Sequence, residues 1–172
     1  MLTISLKAIL VTTNIEIDIS NEDNLYAPDK NKLLECLEVV TTHHKISDAV
    51  VNVSIASNDE IQCINEQFRD KNKPTNIISF EFEKPDGLPD DVMDNFLGDI
   101  VIAPYVLESE AIEQHKTLQD HWCHIFIHGL LHLLGYDHID DDEANIMETL
   151  EIELLNKLQI SNPYTLQENL ND

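Results

Sequence analysis

Between His121 and His138 the chain reads HWCHIFIHGLLHLLGYDH, an apolar stretch broken at short intervals by imidazoles. Six of the eight histidines fall between His115 and His138. On a helix, His128 and His132 stand at i and i+4, one turn apart on one face and about 6 Å along the axis. That spacing lets two imidazoles converge on one metal ion, as the HxxxH pair of zinc hydrolases does. Gly135 is placed to end the helix in a left-handed turn, after which His138 can swing back toward the pair. Three neutral nitrogen ligands leave a fourth tetrahedral position for water, which marks a catalytic rather than a closed structural site. Zn²⁺ draws the pKa of such a water toward about 7 and provides a nucleophile at neutral pH. Zinc, one ion per chain, is therefore the expected cofactor, although nickel, copper or iron also accept imidazole ligands.

The competing reading is of helix-packing histidines, and the spacing around a glycine stop favours the metal. His124 offers a 124/128 register that would strand His132 or His138. Otherwise His121 and His124 are expected to support a ligand, face the substrate or simply pack.

The rest of the chain fits one domain of ordinary size, expected to be a metal-dependent hydrolase over residues 1–160 with a polar, frayed tail over 161–172. Alternating β-branched residues predict strands over 11–19 and 48–57, followed by 76–82 and 97–104. The last two are expected to form a hairpin around the acidic loop 84–95, a solvated excursion or lid near the site. Helices are predicted from Asp29 to near Thr42, over 58–69 with Ile61, Ile64 and Phe68 inward, and over about 105–116, 119–134 and 140–158. Met147, Leu150, Leu154 and Leu158 form a core stripe on the last helix. This order predicts an α+β fold, a single small, mostly four-stranded sheet packed with about five helices.

Ten basic residues against 33 acidic ones leave a net charge of −23. Such a surface repels nucleic acid in general and argues against a duplex-DNA binder. Cys36, Cys63 and Cys123 read as buried thiols. No apolar run reaches the roughly 20 residues of a membrane span. The opening MLTISLKAILVTT makes a poor signal peptide, so a cytoplasmic protein with no membrane partner is expected.

Against this acidity the segment FRDKNK stands out: Arg69 is the one arginine in the sequence, and Lys71 and Lys73 lie within four residues of it. A guanidinium contacts phosphate in bidentate fashion and neutralises charge in a phosphoryl transition state. Arg69, Lys71 and Lys73 are therefore candidate substrate-binding residues, and Arg69 with His128 the candidate catalytic pair. The alternative is a solvated turn with Arg69 paired to a nearby acid. Asp137 either orients an imidazole or caps its turn. Ser79 and Thr75 are weaker candidates for phosphate contact.

The segment HGLLHLLGYDH resembles the signature of the YbeY family of bacterial endoribonucleases, also called rRNA maturation factors. NEQFRDKNKPTNIISFEFE (65–83), LGDIVIAP (97–104) and HIDDDEANIMETLE (138–151) follow the family's pattern in the same order. The resemblance spans about Val50 to Glu151. It implies a zincin-like fold, zinc on His128, His132 and His138, and a functional arginine at Arg69. It also implies cleavage of single-stranded RNA, maturation of the 16S rRNA 3′ end, and ribosome quality control with the ribosome or ribosomal proteins as partners. The peptidase motif HExxH carries its general base beside the first ligand, where this chain has Gly129, so proteolysis by that route lacks its base. Two other readings stay open: a ribosome-associated RNA-binding factor with a mainly structural metal, and a zinc hydrolase of another substrate.

Overall fold

The structure, a computed structural model, describes residues 14–89 and 92–165. Strand β1 (Asn14–Ser20) pairs in parallel with β2 (Asp48–Ile55), Ile17 opposite Val51, and α1 (Lys30–His44) makes the crossover between them. Residues 11–13 of the expected first strand lie outside the described residues. Asp29 caps α1 by accepting the Asn31 N–H at 2.8 Å. Helix α2 (Asn58–Arg69) opens with a capping box, Ser57 and Glu60 satisfying each other's backbone N–H.

Two strands complete the sheet, β3 (Ile77–Glu81) and β4 (Phe96–Ile102). They pair antiparallel around the 84–95 loop, and β4 lies parallel to β2, giving the order β1-β2-β4-β3. The expected hairpin is therefore present, with β3 at the sheet edge. Lys84 and Asp94 close the base of the loop at 2.6 Å. Three helices follow: α3 (Pro104–Glu113), α4 (Leu118–Leu133) and α5 (Asp141–Lys157). Pro104 takes the first helical position, where its missing N–H is not needed. The α+β architecture with one four-stranded sheet and five helices is the one expected. No helix among the described residues is long and apolar enough to cross a membrane.

The period-2 pleat divides the apolar residues between two faces. Ile77, Ile100 and Ile102 join the main core with residues of α1, α4 and α5, including Leu37, Trp122, Phe126 and Leu154. Ile78 and Val101 point the other way and meet Ile61 of α2. α4 is thus the central helix, apolar almost all round because it is covered almost all round.

Three expectations fail locally. Phe68 is 60% exposed rather than inward. α2 buries Ile61 and Asn65 instead, the Asn65 amide donating to the Lys73 carbonyl at 2.8 Å, while the Phe68 ring stands edge-on to Phe80. Cys63 is exposed, whereas Cys36 and Cys123 are buried. The chain after α5 is not frayed over residues 161–165, because Pro163 is buried and the Tyr164 hydroxyl donates to Glu151.

His121 ties α4 to α3. Its Nε2 donates to Glu110 Oε2 at 2.8 Å, and the Asn76 amide donates to the same carboxylate. Burial raises the Glu110 pKa, but the His121 and Asn76 hydrogen bonds outweigh it and leave the carboxyl below its ordinary value. A depressed folded pKa contributes stability that is complete above the unfolded value of about 4.3 and is lost as pH falls through the folded one. Glu110→Gln is accordingly expected to flatten the acid limb of the melting temperature below about pH 4.3. An acid limb as steep as wild type would contradict this.

Candidate metal centre

The centre begins with the end of α4. Gly135 adopts φ +85°, the Tyr136 N–H returns to the Leu131 carbonyl at 3.1 Å and the Gly135 N–H to that of His132 at 2.9 Å. These bonds form a Schellman motif, which reverses the chain within one turn. Tyr136 is held from outside, its hydroxyl donating to His44 Nε2 at 3.0 Å while His44 Nδ1 donates to the Val40 carbonyl. Asp137 Oδ1 then accepts the His138 N–H at 2.8 Å, so this side chain caps the turn.

His138 is thereby returned to the pair on α4. One ligand atom from each of His128, His132 and His138 lies within 4.8 Å of the others, and these residues could hold a metal ion. His128 Nε2 and His132 Nε2 stand 3.1 Å apart. Two ligands at about 2.0–2.1 Å from a tetrahedral ion would be about 3.3 Å apart, so the pair fits one with a small adjustment. Burial above all, and then the neighbouring His128 and His138, push the His132 pKa down, which keeps its ring neutral as ligation requires. His138 is exposed, so the site opens to solvent on its side.

Behind His128 lies a residue that sequence reasoning missed. Glu151 of α5 is 0% exposed, and its Oε1 accepts from His128 Nδ1 at 2.7 Å. Its other oxygen accepts from His124 Nε2 at 3.1 Å and from the Tyr164 hydroxyl. Burial would raise the Glu151 pKa, but hydrogen bonds from His124 and His128 bring it down to about 2. The signal was present in the sequence: Glu151 falls within the inward stripe of Met147, Leu150 and Leu154, where an acid needs a partner. His124 is buried and stands one carboxylate away from the histidine cluster. His121 serves Glu110.

In front of the histidines is a cleft of about 440 Å³ lined by Arg69, Lys71, Thr75, Asn76 and Ser79 together with His128, His132, Asp137 and His138. Arg69 and Lys71 thus meet the histidines across more than fifty residues of chain. Lys73 is not among the lining residues, nor is any described residue of the 84–95 loop. The Ser79 hydroxyl donates to the Gly129 carbonyl at 3.1 Å.

That contact shows why no side chain follows His128. A Cβ on Gly129 would stand 2.4 Å from Ile77 Cδ1 and 3.0 Å from Ser79 Oγ. α4 crosses β3 at this glycine, and any side chain there would have to displace the Ile77 side chain and crowd Ser79. The packing thus matches the absence of the peptidase glutamate at this position.

The family model for Endoribonuclease YbeY matches residues 16–159. The chain is 65% identical over 158 residues to the Endoribonuclease YbeY of Francisella tularensis subsp. novicida (strain U112), covering 92% of this chain and 98% of that one. It is 63% identical over 166 residues to that of Francisella tularensis subsp. tularensis (strain FSC 198), covering 96% and 99%. Among solved structures, the solution structure of TM1509 from Thermotoga maritima matches with a TM-score of 0.52 and 28% identity, over 90% of this chain and 93% of that one. With the model matching most of its length and relatives of this identity covered nearly end to end, the chain belongs to the YbeY endoribonuclease family.

Proposed function

We propose that this protein is a zinc-dependent endoribonuclease specific for single-stranded RNA, working in 16S rRNA 3′-end maturation and ribosome quality control in the cytoplasm. The observation that carries the reading is the meeting of three convergent imidazoles and the one arginine of the sequence on a single cleft. His128, His132 and His138 would hold the ion. When bound, the ion supplies Lewis acidity toward a phosphoryl oxygen and a nucleophile at neutral pH.

Arg69 reaches the cleft from the end of α2 and offers a planar fork of donors that matches phosphate. Its role is to hold the scissile phosphate and to offset the charge that grows on it. Lys71 adds a second positive charge beside it, and Lys73, outside the lining, acts only at longer range. Against a net charge of −23, this corner is where an RNA backbone finds attraction. The ribosome or its proteins would supply the remaining affinity.

Arg69→Ala is expected to lower cleavage of a single-stranded RNA by about 10²–10³-fold while metal content and melting temperature hold. Full cleavage by the purified variant would trace the activity to a contaminating nuclease and leave a ribosome-bound factor as the better reading.

A further inference from the structure

Glu151 has no place in the reaction as described, yet it is a completely buried acid directly behind a candidate ligand. A carboxylate removed from water is strongly disfavoured unless positive charge and hydrogen bonds replace the solvent. Its charge partners are the imidazoles of His124 and His128. A neutral imidazole brings a hydrogen bond and no net charge. A cation on the far nitrogen of His128 would bring the charge as well.

The hydrogen bonds also have a fixed sense. An ionised carboxylate only accepts, so His128 donates through Nδ1 and presents the lone pair of Nε2. That nitrogen is the one 3.1 Å from His132 Nε2, on the side of the ligand cluster. Tyr164 closes the arrangement from the segment after α5. Its hydroxyl donates to Glu151 Oε2 and stands 3.2 Å from His124 Nε2. Glu151 and Tyr164 also line, with His128, His138 and Met147, a small cavity behind the centre.

We propose that Glu151, braced by His124 and the Tyr164 hydroxyl, is a positioning residue that fixes the tautomer and orientation of the His128 ring and sets the affinity of the centre for its metal. The proposal rests on the reading of His128, His132 and His138 as ligands. It gives the segment after α5 a part in the site, since Tyr164 reaches the carboxylate only when that segment is docked.

The test is metal binding by the chelator-stripped full chain, with Zn²⁺ followed by competition against an indicator and Co²⁺ by its visible spectrum. Glu151→Gln keeps the side chain's shape and removes its charge. It is expected to weaken metal binding by about 10–100-fold and to shift the cobalt bands, both by more than any change in the stability of the metal-free protein accounts for. Tyr164→Phe removes one hydroxyl and should weaken binding in the same direction by a smaller factor, which keeps the idea testable if the first variant fails to fold. Wild-type affinity in both variants would overturn it. So would weakening that only tracks a matching loss of metal-free stability, since packing alone would explain it. A wild-type chain that binds neither ion would instead overturn the metal-centre reading beneath it.

Discussion

Replacing His132 with alanine is expected to abolish metal retention and RNA cleavage together and to leave the fold standing. His132 is half-buried in the last turn of α4, with its Nε2 3.1 Å from that of His128. Losing it would leave two ligands, one of them on the exposed turn. Losing a mere supporting partner of a ligand costs about 10–100-fold in affinity or activity, so losing the ligand itself should cost more than about 100-fold. Although the His132 ring makes a hydrogen bond to the Tyr136 backbone, the Schellman turn itself is closed by backbone bonds of residues 131–136, and the core beneath it uses Leu130, Leu131 and Leu133. Metal analysis of the purified variant, an RNA cleavage assay and a melting curve check the three parts. Wild-type metal content with full cleavage would mean that the ion sits elsewhere.

The second large effect concerns stability. Gly98→Ala should destabilise the protein by roughly 3 kcal/mol, adding the cost of a strained backbone to that of overpacking. Gly98 adopts φ +144°, beyond what an alanine accepts without strain. A Cβ there would stand 2.2 Å from the Phe80 carbonyl oxygen and 2.9 Å from Leu133 Cδ2. The leucine end can move, but the carbonyl belongs to the neighbouring strand and cannot move without shifting β3. The β2–β4 register also slips just before this point, Val50 facing Phe96 and Val51 facing Gly98. For a domain of this size the expected fall in melting temperature is about 6–12 °C. A variant within about 2 °C of wild type would show that β3 yields freely. Because β3 carries Ile77 and Ser79 along the cleft, a partial loss of cleavage should follow the loss of stability.

Legibility in the sequence followed the range of the interactions. The strands and helices came through because β-branched alternation and 3.6-residue periodicity are properties of a few consecutive residues. Phe68 failed for the same reason. Its spacing from Ile61 and Ile64 is helical, but whether that last turn is covered is a matter of tertiary packing, and there the Phe68 ring stands edge-on to Phe80 of the edge strand and stays exposed. Cys63 failed likewise, since a thiol carries no pattern of its own. Asp137 was undecided from sequence because its two roles differ only in which way the carboxylate turns.

The amino-acid sequence by itself determined the spacing of His128 and His132, the glycine that returns His138, and the family, because helix pitch and turn chemistry act over a handful of neighbours. Only the tertiary structure decided that Arg69 and Lys71 share the histidines' cleft while Lys73 does not. It alone showed that Gly129 is the point where α4 crosses β3, and that Glu151 and Tyr164 close in behind His128. Those contacts join residues up to about seventy positions apart, and packing of the sheet against α4 and α5, not any local propensity, brings them together.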